Sequence, residues 1–200
     1  MGRSAHGDRR GFCGRLTMHR FSVLIEACVA FMKSRIEDTE AEIIRLMRDE
    51  PSSVHIKNLQ ALRVQYAVTA VGIFSMFEAE LQAQLEAEDG FRALRRLLEE
   101  HGKGELLDRF DLFKQAVNVL KHGEGRSYEA LRTHAGELPF RIKQPDQDFF
   151  EEGDCAEVQT LVLADDEFVR KCSELVHEIS EFIFEWKYGA QDSRFRDDQR

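Results

Sequence analysis

Polar side chains suited to binding a phosphate or a base are concentrated near the end of one helix and in the loop after it. They are Lys114, Asn118, Lys121, His122, Arg126 and Ser127. Asn118 and His122 are four residues apart, so both project from one side of a helix. The helix dipole favours a protonated imidazole at this end, and histidine can act as a general acid or base. The pattern predicts a phosphodiester site in which His122 transfers a proton, Asn118 orients a reacting group and the cations bind phosphate.

The helix that carries these residues is marked by an apolar stripe and a stop signal. Phe110, Phe113, Val117 and Leu120 recur at three- and four-residue steps, and Gly123 follows as a helix-ending glycine. A second interpretation of the same pattern stays open. In it, His122 caps the carbonyls of its own helix while Asn118 lies in solvent or in a subunit contact.

The sequence contains no complete motif for binding a metal ion or a nucleotide phosphate. Glu174 and His177 form a single Glu-x-x-His pair, whereas a di-iron bundle needs two such pairs and further glutamates. The four cysteines have no metal-ligand spacing, and we expect them to be reduced thiols in a cytoplasmic protein. The glycine-rich stretch 123–127 follows a helix, whereas a phosphate-binding P-loop precedes one. We therefore expect no metal and no cofactor.

Helical periodicity dominates the chain and predicts a mostly α fold. The expected architecture is a helical bundle built on a long antiparallel helix hairpin, with a small β-hairpin insertion before the last helix. The predicted helices cover residues 21–49, 53–88, 91–101, 110–122, 128–135 and a last one that begins after Asp165 or Asp166. The predicted strands are residues 138–143 and 158–163. In the first helix we expect Phe21, Leu24, Ile25, Cys28, Met32 and Ile36 to share one face.

The predicted domain organisation is a single helical domain over residues 20–187, with the hairpin insertion at about 138–163. Residues 1–19 are expected to be a flexible basic extension, in which Met18 is an alternative start, and residues 188–200 a disordered tail. The apolar run 21–32 resembles a signal sequence, but Glu26 interrupts it and no small-residue cleavage site follows. It is also too short and too charged to span a bilayer. We expect a cytoplasmic protein without membrane contact.

The net charge of −9 is concentrated in one segment. Residues 144–167 contain nine acidic residues and no basic one, so the remainder of the chain is balanced. The overall charge therefore does not exclude nucleic-acid binding. The acidic segment is either a solvated loop or a docking surface for a basic protein partner.

Two stretches of the sequence resemble HEPN domains (higher eukaryotes and prokaryotes nucleotide-binding). They are GIFSMFEAEL at 72–81 and NVLKHGEGRSYEAL at 118–131. The resemblance implies an all-α bundle that forms a homodimer and binds RNA or a nucleotide. It also implies a metal-independent endoribonuclease of a toxin–antitoxin or anti-phage system. The motif of such proteins is an arginine, a polar residue, three variable residues and a histidine, with two copies meeting at a dimer cleft. Asn118 and His122 match the polar residue and the histidine, whereas Val117 occupies the arginine position, so Lys121 or Arg126 would supply the missing charge.

Three functions therefore remain open at the level of the sequence. The first is an RNA- or nucleotide-binding HEPN-like protein with endoribonuclease activity. The second is a non-catalytic dimeric helical interaction or scaffold protein, and the third is a small-molecule pocket between the long helices. We expect the dimer to form through a mixed stripe consisting of Leu107, Asp111, Lys114, Asn118 and His122.

Overall fold

Six α-helices account for most of the computed structural model, which describes residues 9–50, 52–145, 147–149 and 157–189, and side chains from residue 21 onward. The helices are α1 (Arg9–Asp49), α2 (Ser53–Leu85), α3 (Gly90–Glu100), α4 (Gly104–His122), α5 (Arg126–Arg132) and α6 (Asp166–Phe184). A π-helical turn over Glu185–Gly189 continues α6. The predicted mostly α fold is confirmed within these residues.

The helix boundaries follow local capping signals. The Ser52 side chain accepts a hydrogen bond from the Val54 backbone N–H, and Asp89 and Asp165 cap α3 and α6 in the same way. The first helix begins earlier than predicted: α1 starts at Arg9, so the backbone of residues 9–19, which were expected to be a flexible extension, is helical. The predicted tail, apart from its first two residues, lies outside the described residues.

The two long helices form the predicted antiparallel hairpin. The ring of Phe21 stacks on that of Phe77, and the Thr69 hydroxyl approaches the Met32 sulfur at 2.9 Å. Farther along, Arg63 pairs with Glu40 at 2.9 Å. Residue numbers fall along α2 as they rise along α1, which defines the antiparallel arrangement.

Helix α6 packs antiparallel against α1 and completes the bundle. Lys33 pairs with Asp166 at 2.7 Å, and His177 Nδ1 lies 3.4 Å from Glu26. Its inner face contributes Phe168, Cys172 and Ile179, all nearly or fully buried. Burial of such side chains stabilises the fold by about 1.5–3 kcal/mol each.

The core-facing surface of α1 differs from the prediction. Ile25, Met32 and Ile36 are buried as expected, but Leu24 and Cys28 are exposed. The reason is that α1 contacts both α2 and α6. Its buried stripe points between these two neighbours and includes Val29 instead of Leu24 and Cys28.

The predicted β-hairpin is reduced to one antiparallel bridge between Ile142 and Val162. Two backbone hydrogen bonds flank it, from Lys143 N–H to the Leu161 carbonyl and from Leu163 N–H to the Arg141 carbonyl. No strand forms in the residues that the structure describes. An isolated two-stranded pair is marginally stable, and this segment is anchored instead by its side chains packing on the helices, as Phe140 packs on Phe113 and Phe168.

Candidate functional site

The helix that carries the candidate site is held by its apolar stripe. Phe110, Phe113 and Val117 are buried as predicted, and Leu120 is half-buried. The helix ends at Gly123, whose φ of 72° lies in the left-handed region that glycine adopts without strain. The Gly123 N–H donates to the Val119 carbonyl at 2.8 Å and closes the last turn. The exposed side of α4 is thereby fixed relative to α2 and α3.

Three of the predicted site residues line one small notch between α2, α3 and α4, which we call the Asn118 notch. Its lining residues are Phe74, Ser75, Glu78, Phe91, Lys114, Val117, Asn118 and Lys121. The notch has a volume of about 20 Å³, enough for about one water molecule. A larger ligand would therefore lie across the notch rather than inside it.

Lys114 is positioned by an aromatic ring of the neighbouring helix. Its ammonium lies 5.4 Å from the ring centroid of Phe91 on α3, within the range of a cation–π contact. Phe91, Ser75 and Glu78 were not predicted to be part of the site. They lie on other helices, and nothing in the spacing of α4 indicates which residues of α2 and α3 will face it.

His122 is the last residue of α4 and is exposed. It does not line the Asn118 notch, although it is one helical turn beyond Asn118. Within the described part of the chain, no hydrogen bond joins its ring to the carbonyls of α4, which is the role that the capping interpretation assigned to it. The imidazole is accessible to a ligand on the outer surface.

Arg126 and Ser127 occupy a different element from the one predicted. The short helix begins at Arg126 rather than at Tyr128, and it ends at Arg132 rather than at Ala135. Arg126 is exposed and Ser127 half-buried. Both residues are thus in the first turn of α5, separated from the Asn118 notch by the loop of residues 123–125.

Much of the stripe that was expected to form the dimer contact is already used within the chain. Leu107 is buried, and Asp111 pairs with Arg95 of α3 at 3.0 Å. Burial raises the pKa of the Asp111 carboxyl, while the nearby Arg95 and Lys114 act in the opposite direction. Lys114 and Asn118 are half-buried and His122 is exposed, so the last part of the stripe remains accessible beside α3.

The described acidic residues of the segment 144–167 have partners inside the chain. Lys143 contacts Asp148 at 2.7 Å and Glu157 at 2.9 Å, and these hydrogen bonds raise the pKa of the lysine. Asp165 caps α6, and Asp166 and Glu167 pair with lysines of α1 and α6. The other four acids, Asp146, Glu151, Glu152 and Asp154, lie outside the described residues.

Two other types of site that were considered from the sequence can be compared with the structure. The Glu174 side chain pairs with Arg170, and His177 Nδ1 lies 3.4 Å from Glu26. The described residues contain no group of three or more histidine, cysteine, aspartate or glutamate side chains that could hold a metal ion. A groove of about 990 Å³ lies between the start of α4 and the end of α6, and one of about 490 Å³ lies beside residues 135–149. Neither is lined by α1 or α2, where a pocket between the long helices was considered.

Comparisons with known proteins add no relative. The chain matches none of the protein-family models, curated proteins or solved structures with which it was compared. In the ranges that the structure describes, every helix is too short or too polar to cross a bilayer.

Proposed function

We propose that this chain is an RNA- or nucleotide-binding protein of the HEPN-like type. The observation that supports the proposal best is the grouping of Lys114, Asn118 and Lys121 around one notch, with the exposed His122 one turn farther along. Two ammonium groups beside an amide suit a phosphate with an adjacent base or ribose, because ammonium groups bind phosphate as point charges and the amide both donates and accepts hydrogen bonds.

The ligand in this proposal is single-stranded RNA lying across the outer surface of α4. The shallow notch accepts a single polar group, while the neighbouring cations contact the backbone phosphates. Arg126 and Ser127, in the first turn of α5, extend the basic surface beyond the loop. Affinity that depends on phosphate contacts falls with salt concentration, because bound cations are released from the RNA.

We further propose metal-independent cleavage of the bound RNA. The ribose 2′-oxygen attacks phosphorus and the 5′-oxygen leaves. A neutral His122 accepts the 2′-hydroxyl proton, and a water molecule donates a proton to the leaving oxygen. Asn118 orients the reacting groups, and Lys121 or Arg126 stabilises the negative charge that develops on the phosphate oxygens. The protein would act as a homodimer in a toxin–antitoxin or anti-phage system.

Binding is tested by titrating a labelled single-stranded RNA with the wild type, Lys121→Ala and Lys57→Ala. Both lysines are exposed, but Lys57 lies near the start of α2 and does not line the notch. Lys121→Ala should reduce the slope of log affinity against log salt by about 0.7, the value for one lost contact with a single strand. Lys57→Ala should leave the slope unchanged. Equal slopes for all three proteins would contradict the proposed surface.

Cleavage is tested on a broad panel of RNAs in the presence of EDTA. His122→Ala should lower the rate by about 10²–10⁴-fold while the circular dichroism spectrum stays unchanged, because His122 is exposed and makes no packing contact that the fold requires. A wild type that binds RNA but leaves the whole panel intact would remove the enzymatic part of the proposal and keep the binding part.

The second candidate function is a non-catalytic dimeric helical scaffold. It is favoured by a row of exposed apolar side chains on α1 and α2, including Leu24, Phe31 and Val68. The acidic segment 144–167 would then serve as a docking surface for a basic protein partner. A dimer that shows no affinity for RNA at low salt would support this function over the first.

A further inference from the structure

The outer surface of the helix hairpin carries large apolar side chains that no described residue of the chain covers. We call it the α1–α2 face; its residues are Leu24, Cys28 and Phe31 on α1, and Val64, Val68 and Met76 on α2. Phe31 is 70% exposed, Leu24 66%, Val68 63% and Met76 57%. Large apolar side chains scattered singly are normal on a surface, but a contiguous group of them marks an interaction site.

These residues form one contiguous surface because the two helices are antiparallel neighbours. Phe31 and Val68 adjoin the contacting pair Met32 and Thr69 in sequence. At the other end, Met76 is next to Phe77 in sequence, and the Phe77 ring stacks on that of Phe21. Phe21 precedes Leu24 by three residues. On α1, Leu24 and Phe31 are seven residues apart. On α2, Val64, Val68 and Met76 are separated by four and eight residues. Such steps keep the side chains on one side of each helix.

The α1–α2 face carries no exposed charge along the middle of α2. From Ala61 to Ala79, every exposed residue is uncharged: they are Ala61, Val64, Gln65, Val68, Ser75, Met76 and Ala79. Arg63 and Glu78 are the charged residues in this span; both are half-buried, and Arg63 pairs with Glu40. Because 32% of the residues in the whole chain are charged, a helical stretch of this length with no exposed charge distinguishes this surface from the rest.

Gly72 gives a second, independent indication that something approaches α2 closely. A glycine inside a helix costs roughly 0.5–1 kcal/mol relative to alanine. A Cβ atom added at Gly72 would meet no atom within 4 Å, so no contact with a described residue requires glycine there. Gly90 provides the contrast, since its Cβ would lie 2.6 Å from the Glu78 carbonyl oxygen. A helix packed against α2 from outside would explain why Gly72 has no side chain.

We propose that a second copy of this chain covers the α1–α2 face, so that the hairpins of two copies pack as a two-fold symmetric four-helix arrangement. The side chains named above expose roughly 600 Å² of surface per copy, and with their small neighbours they approach the approximately 800 Å² per partner of a standard stable interface. Bulky residues lie beside small ones such as Gly72, so the face can fit a copy of itself across a two-fold axis.

The chemistry of the face argues for a second copy over a lipid surface. Helices that bind the membrane interface surround their apolar side with lysine and arginine, whereas the exposed residues of α2 between 61 and 79 include neither. The exposed residues of α2 between 61 and 79 also offer nothing to select a charged protein partner. The α2 parts of two such faces meet without charge repulsion, and the exposed Arg35, four residues after Phe31, lies on the α1 side of the face.

The second copy would lie close to the candidate RNA site. Ser75 is exposed between Val68 and Met76 on α2, and it also lines the Asn118 notch. The inference rests on the proposed function only in requiring two copies, and it assigns the contact to α1 and α2 instead of to the stripe on α4. A partner seated here would border the notch and extend the RNA-binding surface.

The test is sedimentation equilibrium of the full chain without RNA, with fluorescence detection, at concentrations from about 1 nM to about 50 μM, a range that covers nanomolar and micromolar dissociation constants. The wild type and Val54→Glu should sediment at twice the chain mass of 23.1 kDa. Val68→Glu should raise the dimer dissociation constant by roughly 100-fold or more, because it introduces like charges into the contact. Val54 is the matched control: it is also on α2 and 59% exposed, but it lies at the start of the helix.

Two further measurements keep the outcomes distinct. Maleimide labelling of Cys28, followed by peptide mass spectrometry, should be slower in the wild type than in Val68→Glu, because the partner covers Cys28. A monomeric wild type, equal dissociation constants for both variants, or a wild type that stays monomeric but pellets with anionic vesicles would each overturn the proposal. The sedimentation test contains no RNA, so its outcome does not depend on the proposed function. A protein that dimerises as expected but fails to bind RNA in the separate titration would contradict only the proposed function.

Discussion

The arginine that the resembled family carries cannot be restored at Val117 without a large loss of stability. Val117 is 3% exposed and borders a notch of only about 20 Å³. An arginine is several heavy atoms longer than valine, so it would overpack the contact with Phe74 and Phe91 at a cost of about 1–3 kcal/mol. Its charge would also be partly buried, with Glu78 at the rim of the notch as an incomplete partner.

We therefore expect Val117→Arg to lower the free energy of unfolding by about 3 kcal/mol. With a slope of about 2 kcal/mol per molar urea, the unfolding midpoint should fall by about 1.5 M. The assay is urea denaturation followed by far-ultraviolet circular dichroism. His122→Arg adds the same side chain at an exposed position and should change stability by less than about 0.5 kcal/mol.

Val117→Met separates the effect of size from that of charge. Methionine is long, flexible and neutral, so the substitution should cost only about 1 kcal/mol. An arginine variant with the wild-type midpoint would refute the reasoning, because position 117 would then have to accommodate a cation in solvent. If that variant also cleaved RNA, the family motif would be functional in this fold.

Three further predictions concern stability and reactivity. The hydrogen bond from Lys33 lowers the pKa of the Asp166 carboxyl below its ordinary value of 3.8. This ion pair therefore stabilises the fold above pH 3.8, and its contribution is lost as the pH falls below that value. In calorimetry, the thermal midpoint of Lys33→Met should drop less between about pH 5 and pH 3 than that of the wild type, and equal drops would contradict the pairing. Asp165→Ala removes the side-chain cap of α6 and should cost about 1 kcal/mol in urea denaturation, whereas Asp165→Asn should cost much less. Cys172 is fully buried, and burial raises the pKa of its thiol. The Cys172 thiol should therefore react with maleimide only in denaturant. Fast labelling of the native protein would show instead that α6 opens locally.

Features that depend on residues within one or two helical turns could be predicted from the sequence. The caps at Ser52 and Asp165 and the helix end at Gly123 are examples, because each is determined by a side chain or glycine hydrogen-bonding or turning beside its own backbone. The buried stripe of α4 followed from its 3.6-residue period. The antiparallel hairpin followed from two long periodic segments joined by a short turn.

Features that depend on which elements meet were decided by the tertiary structure. Leu24 and Cys28 fit the apolar period of α1, yet they are exposed because the buried side of α1 is set jointly by α2 and α6. The predicted strands shrank to one bridge, because local β propensity is weaker than the packing of Phe140 on the helices.

The candidate site was likewise predictable from the sequence only in part. The spacing of Lys114, Asn118 and Lys121 placed them on one helix, but only the packing of α3 beside α4 brought Phe91 under the lysine. The same packing used the first part of the predicted dimer stripe inside the chain and left the α1–α2 face without a described neighbour. A period of 3.6 residues defines the direction in which a side chain points from its own helix. Whether another helix lies in that direction depends on contacts between residues distant in sequence.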